Sequence, residues 1–357
     1  MKYITNVYMY NKEFSKATQM KIYKYITSKQ LKKVIVQRSI QNGHHISVIF
    51  WEKEDQREFI EYMENIIKGY LPETIDKEKL RKKIQVVSRM EEVYPQTNIR
   101  DDGAIESFES NKIPTFKINP IYSNDVFEEV ELIKTKLMIE FNRNSFFKMD
   151  QDEQNIMVAQ LYLNAGLLHK SGLKFGYLSL KSNILLFEEQ LKSIKEKIDP
   201  EKYKKYWELV FNMTELEHEF IEHGLAKFFD TNKSGFFRKY IHELNNLFLV
   251  NISKNTLDQQ NISSGEKFFE NGQHLKEIPE FHNTFFNNKY FLNEYKSEHF
   301  ISYKYVMDTL YQLMLLLNIS PIRKQKITKI ASDAVEAYYQ TNWKEVYQEM
   351  ISMEGKE

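Results

Sequence analysis

The sequence contains no cysteine, which excludes disulfide bonds, thiolate nucleophiles and metal or iron–sulfur sites built on cysteine ligands. It also lacks an excess of charge of either sign, since 50 basic residues (Lys and Arg) balance 50 acidic ones (Asp and Glu) among 357. A chain without a net electrostatic field has little attraction for a polyanion. Nucleic-acid binding is therefore not expected to be its role.

Long apolar runs are missing as well. The longest late run, Leu313 to Leu317, is far shorter than the roughly 20 residues that cross a bilayer. The first residues lack the apolar core of a signal peptide. We expect a cytoplasmic protein without a membrane partner.

Glycine and proline are scarce, at 11 and 7 residues, and no Walker-type, dinucleotide-binding or Gly-x-Ser-x-Gly pattern occurs. His218 and His223 resemble the pair on a metalloprotease helix, but they stand five residues apart, whereas a spacing of four is needed for one helical face. We predict no metal and no cofactor. The 22 tyrosines and 25 phenylalanines favour instead a pocket for a flat, uncharged ligand.

The first third of the chain alternates short strands with helices. Residues 34–36 and 45–51 are rich in β-branched and aromatic side chains, and the step from Gln41 to Gly43 predicts a turn between them, hence a β-hairpin. The spacing of apolar residues predicts a helix over 55–70. Further predicted features are a strand at 84–87, a loop-like stretch over 95–120 and a possible strand at 115–118.

Beyond Asn124 the apolar period changes to that of helices. Helices are predicted at 150–168, 183–197, 200–229, 236–251, 298–317 and 321–340. A short strand at 175–179 and a polar surface loop at 251–280 interrupt them. The predicted fold is α+β, with an N-terminal layer at 1–122, containing a small mixed sheet, packed on a mainly helical layer at 123–357. We expect one compact enzyme unit with its active site between the layers.

Two segments carry the side chains of most chemical interest. On the second hairpin strand, His45, Ser47 and Ile49 share one face, and His44 shares the other with Ile46. In the second segment, the predicted strand delivers Tyr177 and Ser179 to one face, and Ser182 or Asn183 caps the next helix. Hydroxyl and phenol groups at such a junction suit either capping or proton transfer, because both donate and accept hydrogen bonds.

The order of these motifs resembles a known family. The motifs resemble those of the elimination domains of lantibiotic dehydratases. In chain order they are a strand with Gly-x-His-Ile-x-x-x-Phe, an amphipathic helix, Gly-Tyr-x-Ser-x-x-Ser leading into a helix, and a late helix followed by Leu-Asn-Ile-Ser-Pro at 317–321. They resemble still more the free-standing members of that superfamily in thiopeptide biosynthesis.

Two departures indicate the branch. Elimination domains carry arginines in the segment that matches His45 to Phe50, where this chain has Ser47 and Ile49. They also carry a histidine on the late helix, where this chain has Leu313. The chain is thus most similar to thiopeptide pyridine synthases, of micrococcin or thiocillin type.

This resemblance implies a formal [4+2] cycloaddition between two dehydroalanines of one modified precursor peptide. Loss of water and of the leader peptide then gives the central pyridine and the macrocycle. It implies no cofactor. The implied partners are the precursor, with its leader and its dehydrated, azole-containing core, and dehydratase and cyclodehydratase enzymes. The leader would bind by strand addition or in a basic helical groove.

From the residues and the resemblance together we predict two sets of site residues. The catalytic, proton-handling set is Tyr177, Ser179, His45, Ser302 and Tyr303. The substrate-binding set is Ser182, Lys181, Tyr305 and Asp308.

Two alternatives stay open. The first is the glutamate-eliminating subunit of a split dehydratase, which would need other cations such as Arg38 or Arg143. The second is a non-catalytic subunit that binds the precursor peptide.

Overall fold

The computed structural model describes residues 1–90, 98–114, 123–230, 235–254, 257 and 278–354. Its contacts divide the chain into two compact units. The first is Met1–Phe147 with Leu315–Asn318, and the second is Lys148–Met314 with Ile319–Glu357. The division lies after Phe147, later than the residue 122 at which the apolar period changes.

The described part of the first unit contains a small sheet and four α-helices. Its strands are β1 (Lys2–Tyr8), β2 (Val34–Ser39), β3 (His45–Phe50) and β4 (Ile105–Ser110), and its helices are α1 (Lys12–Ser28), α2 (Lys53–Ile67), α3 (Lys77–Met90) and α4 (Asn124–Arg143). The strand order is β2-β3-β1-β4, and each neighbouring pair is antiparallel. The predicted hairpin is confirmed. Its turn uses Asn42 and Gly43 at φ 58° and 116°, the left-handed region in which asparagine and glycine are tolerated best.

The two faces of the sheet bury different side chains. Ile4 and Ile35 both pair with Ile49, and strand alternation puts all three on one face, where Ile113 packs on them. On the opposite face Phe50 meets Phe59 of α2, with ring centroids 5.2 Å apart. Further along the first face the isoleucines give way to polar side chains.

The second unit is helical where it is described. Its helices are α5 (Gln151–Gly166), α6 (Leu173–Gly176), α7 (Leu178–Ile194), α8 (Pro200–Phe211), α9 (Glu215–Glu219), α10 (Leu225–Asp230), α11 (Gly235–Ser253), α12 (Glu280–Phe286), α13 (Lys289–Tyr295), α14 (Glu298–Leu316, whose last two residues belong to the first unit), α15 (Pro321–Tyr339) and α16 (Trp343–Glu354). Between α9 and α10, residues Phe220–Gly224 form a π-helical turn. Helix α15 packs against α5, α7 and α8.

Local sequence explains several helix starts. Asp150 and Glu153 form a capping box at the start of α5, in which each side chain bonds the other residue's backbone N–H. At the start of α15 the Ser320 hydroxyl accepts from the N–H of Arg323, and Pro321 occupies the first helical position. The helices predicted for 150–168, 298–317 and 321–340 are confirmed as α5, α14 and α15.

The strands predicted at 84–87 and 175–179 are wrong. Residues 84–87 lie in α3, where Leu80, Ile84 and Val87 recur at helical steps of four and three. Residues 175–179 span the end of α6 and the start of α7, and Tyr177 between them has helical φ and ψ. A short apolar run cannot be assigned to strand or helix by its period alone. Ser182 and Asn183 accordingly lie inside α7 and do not cap it.

Other differences concern elements that the sequence analysis did not propose. Strand β1 and helix α1 were not predicted, and β4 lies within the stretch predicted as loop. The strand proposed at 115–118 and most of the loop proposed at 251–280 lie outside the described residues. The α+β fold class is confirmed, with an antiparallel rather than mixed sheet. In the described part of the chain, no helix combines the length and apolarity needed to cross a membrane.

Candidate functional site

Tyr177, which is buried, and the partly buried Lys181 and Glu336 form one polar group in the second unit. The Tyr177 hydroxyl donates to Glu336 Oε1 at 3.2 Å, and Lys181 Nζ donates to Oε2 of the same carboxylate at 2.7 Å. These bonds tie the start of α7 to α15. Burial, and then the charge of Glu336, raises the pKa of Tyr177 far above its usual value, so the phenol keeps its proton.

Ser179 and Tyr303 form a second group beside it. The Tyr303 hydroxyl donates to the Gly176 carbonyl at 2.7 Å and is also hydrogen-bonded to the Ser179 hydroxyl. Tyr303 is buried, and burial raises its pKa. The structure thus brings together two of the predicted catalytic residues, Ser179 and Tyr303, whereas the Tyr177 hydroxyl bonds Glu336 of α15. Their catalytic role stays a prediction.

The remaining predicted residues of the second unit are dispersed. Ser302 is buried and donates to Asn245 Oδ1 at 2.7 Å. Ser182 is hydrogen-bonded to His282 Nε2 at 2.9 Å. Tyr305 is buried against the ring of Phe248. Asp308 is exposed.

A cavity of about 470 Å³ lies in the first unit, at the polar end of the sheet. Its walls include charged, amide and hydroxyl side chains together with apolar Phe108 and Pro114. Its polar lining includes Asn6, Tyr8, His45, Ser47, Arg100 and Glu106. Of the predicted catalytic set, His45 lines this cavity.

Strand register brings these side chains together. Tyr8 pairs with His45, and Asn6 pairs with both Ser47 on β3 and Glu106 on β4. Residues directly opposite each other on antiparallel strands project from the same face. Two polar rows therefore follow the isoleucine row along this face. Within them the Ser47 hydroxyl donates to Asn6 Oδ1 at 2.6 Å.

His45 is held in a defined state. It is 4% exposed, and its Nδ1 lies 2.9 Å from the Gly43 carbonyl oxygen. A carbonyl only accepts hydrogen bonds, so Nδ1 carries the proton and Nε2 carries the lone pair. Nε2 is buried and has no hydrogen-bond partner among the described residues. Burial lowers the pKa of His45, although the Gly43 and Gln41 backbone and the charge of Glu106 oppose this effect.

Tyr8, Glu106 and Arg100 form a chain of polar contacts on the same wall. The Tyr8 hydroxyl donates to Glu106 Oε2 at 2.9 Å, and Arg100 Nε lies 2.6 Å from Glu106 Oε1. Burial, and then the hydrogen bond to Glu106, raises the pKa of Tyr8 to about 12. The Tyr8 ring also packs against His45, with centroids 4.8 Å apart.

The charges of these cavity residues cancel, because Arg100 pairs with Glu106 and His45 is neutral. The cavity is thus suited to an uncharged polar ligand that has both hydrogen-bond donors and acceptors. Its volume lies within the roughly 300–1,000 Å³ of small-molecule sites. Among the described residues, no group of three or more histidine and acidic side chains could hold a metal ion.

Sequence reasoning missed Asn6, Tyr8, Arg100 and Glu106. A signal was present in the composition of Lys2 to Tyr8, which is rich in the β-branched and aromatic residues that favour strands. The partner of that strand, β4, stands about a hundred residues later. Its residues are mostly Glu and Ser, a composition more typical of a loop than of a strand.

Comparison with known proteins gives the fold and not the family. No protein-family model and no curated protein matches the chain. Among solved structures, the pyridine synthase TbtD from thiomuracin biosynthesis is similar, with 12% identity, a TM-score of 0.56, and coverage of 95% of this chain and 99% of that one. TsrL is similar with 10% identity, a TM-score of 0.54, and coverage of 97% of both chains. Identities of 12% and 10% establish a similar fold, but they do not identify a thiopeptide subtype.

Proposed function

We propose that this chain is a biosynthetic enzyme that forms the central pyridine of a thiopeptide from a modified precursor peptide. The observation that carries the proposal is the extent of the fold likeness to TbtD, a pyridine synthase, which covers nearly all of both chains. The resemblance of the sequence motifs to thiopeptide pyridine synthases supports the same assignment independently of the fold.

The proposed reaction begins with two dehydroalanines of one peptide. The amide beside one of them tautomerises, and the resulting azadiene adds to the alkene of the other in a formal [4+2] step. Loss of water and of the leader peptide then yields the aromatic ring and closes the macrocycle. Precursor-modifying dehydratase and cyclodehydratase enzymes would supply the substrate.

The main contribution of the protein would be positioning. Holding a diene and an alkene at reacting distance is worth up to about 7–11 kcal/mol of the barrier in favourable cases. Correctly placed proton transfers add about 10²–10⁴-fold. The hydrogen-bonding cavity of the first unit, in which the charges of Arg100 and Glu106 cancel, suits the amides of a dehydrated peptide and supports this part of the proposal.

The glutamate-eliminating alternative is less well supported. Among the described residues that line the cavity, Arg100 is the one permanent cation, and Glu106 neutralises it. Arg38 is hydrogen-bonded to Ser15 at 3.1 Å, and Arg143 is paired with Glu140 at 2.7 Å. Arg100 and Arg143 are therefore neutralised by carboxylates. Arg38 bonds the neutral side chains of Ser15 and Asn318, so it is the cation on which this alternative would depend.

Mass spectrometry tests the function. The purified chain is incubated with a dehydrated, azole-bearing precursor, and a product lighter by one water and the leader peptide is expected. A precursor with alanine in place of one dehydroalanine is the matched control and should give no product. Glutamate release from a glutamylated precursor would favour the elimination subunit instead. Leader binding without any change in mass would favour the non-catalytic subunit.

A further inference from the structure

Arg38 is a partly buried cation that has no carboxylate partner among the described residues. One of its guanidinium nitrogens donates to the Ser15 hydroxyl at 3.1 Å, and another donates to the Asn318 side-chain oxygen. Both acceptors are neutral. Burial lowers the pKa of Arg38, and the group that opposes this effect is the Tyr23 phenol rather than a carboxylate. A partly buried charge without a counter-ion costs free energy, so a bound anion would stabilise this arrangement.

The Arg38 guanidinium has N–H groups that a ligand can reach. Its bond to Asn318 lies at the surface, and Asn318 is itself exposed. Arg38 Nε makes no hydrogen bond to a described residue and is not buried. A guanidinium has five N–H donors in one plane, so the bonds to Ser15 and Asn318 leave others for an oxyanion.

His44 and two lysines lie near Arg38. Burial lowers the pKa of His44 to about 4, and the charges of Lys83 and Arg38 add to this effect, followed by those of His45 and Lys12. Both lysines are exposed and form no ion pair with a described residue. His44 is partly exposed, and neither of its ring nitrogens bonds a described residue. Its neutral ring keeps one N–H that can donate to an anion.

This group of side chains lies on the other face of the sheet from the cavity. Arg38 pairs with Ile46, and strand alternation directs both away from the face that carries His45. The hairpin turn joins the two faces, because Asn42 of the turn lines the cavity and His44 follows it two residues later. A peptide with one part in the cavity can therefore pass around the turn and reach Arg38.

We propose that Arg38 and His44 bind a side-chain carboxylate in an acidic segment of the peptide substrate, and that Lys12 and Lys83 attract the neighbouring carboxylates. This inference rests on the proposed function, which supplies a peptide as the substrate. The planar guanidinium matches a carboxylate in geometry. The cations are spread over β2, α1 and α3, so they suit several linked negative charges better than a single ion. A site on the face away from the cavity anchors the peptide and takes no part in bond formation.

Fluorescence anisotropy with a labelled peptide of alternating Glu and Gly tests the site on the full-length protein. The same peptide with Gln in place of Glu is the ligand control and should bind far more weakly. Arg38→Gln should weaken binding of the Glu peptide by about 10–100-fold, and Lys83→Gln by about 2–5-fold. The matched control is Lys82→Gln, an adjacent lysine 3.1 Å from Glu78, which should keep wild-type affinity. Equal binding of the two peptides, or equal losses at Lys82 and Lys83, would overturn the inference.

NMR titration of His44 in the wild-type protein does not depend on any variant folding. Saturating Glu peptide adds negative charge beside the ring, so the pKa of His44 should rise by about one to three pH units. An unchanged pKa would exclude His44 from the site. Acetate at the same carboxylate concentration is the free-anion probe, and acetate that binds as tightly as the peptide would overturn the assignment to a peptide.

Kinetics separates this inference from the proposed function. With the dehydrated precursor, Arg38→Gln should raise KM and change kcat far less. A precursor whose Asp and Glu are replaced by Asn and Gln should raise the KM of the wild-type chain in the same way. An unchanged KM in both cases, with normal wild-type turnover, would eliminate the anchor and leave the proposed function intact. A wild-type chain that binds the Glu peptide but converts no precursor would reject the proposed function, while the acidic-peptide site would stand.

Discussion

Gly176 lies against the backbone of Gly166 so closely that no side chain fits there. A Cβ added to Gly176 would be 2.0 Å from the Gly166 carbonyl oxygen. This contact lets α6 pack on α5 and places Tyr177 and Ser179 at their observed positions. The glycine in the Gly-Tyr-x-Ser motif therefore has a packing role, which a sequence motif alone does not reveal.

Gly176→Ala should destabilise the protein because α5 and α6 must move apart. We expect a loss in unfolding free energy of about 1–3 kcal/mol or more, the usual cost of overpacking. Chemical denaturation measures it. The control is Gly69→Ala, since a Cβ at Gly69 has no neighbour within 4 Å, and this variant should be neutral or slightly more stable. Equal midpoints for the two variants would contradict the packing argument.

Strand β2 lies at the edge of the sheet, and helix α4 supplies a hydrogen-bond acceptor for one backbone N–H of that edge. The Val36 N–H donates to the Thr135 hydroxyl of α4 at 2.9 Å, and the same hydroxyl donates to the Glu131 carbonyl. Both Val36 and Thr135 are buried. An edge N–H covered in this way cannot pair with another strand. The threonine thus protects the edge and attaches the helix.

Thr135→Val should remove this protection while preserving side-chain shape. It leaves the buried Val36 N–H without its partner, and we expect a loss of about 1–3 kcal/mol in unfolding free energy. Thr135→Ser keeps the hydroxyl and should lose markedly less stability. Denaturation midpoints of the two variants provide the comparison, and the prediction fails if the serine variant is the weaker one.

Some secondary-structure elements could be predicted from local sequence patterns alone, and others could not. The hairpin was predictable because residues 34–36 and 45–51 are β-rich and Gly43 permits the turn. Helices α5, α14 and α15 were predictable because their apolar residues recur over several turns, whereas the 17-residue helix α1 was missed. The segment at 175–179 was not predictable, because five residues fit either period and the close approach to Gly166 decides between them.

Across both units, burial suppresses protonation of several histidines. Burial lowers the pKa of His44 and of His282 to about 4, and lowers the pKa values of His45 and His169 as well. In the unfolded chain these groups titrate near 6.5. Below that pH the unfolded state binds more protons than the folded one. These histidines therefore contribute stability that is complete above about 6.5 and is lost as the pH falls.

We expect the denaturation midpoint to fall between pH 7.5 and pH 5. Each such histidine contributes a slope of up to about 1.4 kcal/mol per pH unit in this window. His282→Gln removes one of them and should make the decline shallower. Denaturant titrations of both proteins at several pH values measure the slopes. A midpoint that stays constant or rises on acidification would contradict the burial of these rings.

The sequence by itself determined the fold class, the hairpin and the helices α5, α14 and α15, because each depends on the local period of apolar residues and on turn chemistry. It also singled out His45. Only the tertiary structure placed Tyr8, Arg100 and Glu106 beside that histidine, since strand register joins β1 to residues about a hundred positions away. The hydrogen bond from Nδ1 to Gly43 likewise required coordinates. Local periodicity selects elements, whereas the cavity depends on which elements pair and in what register.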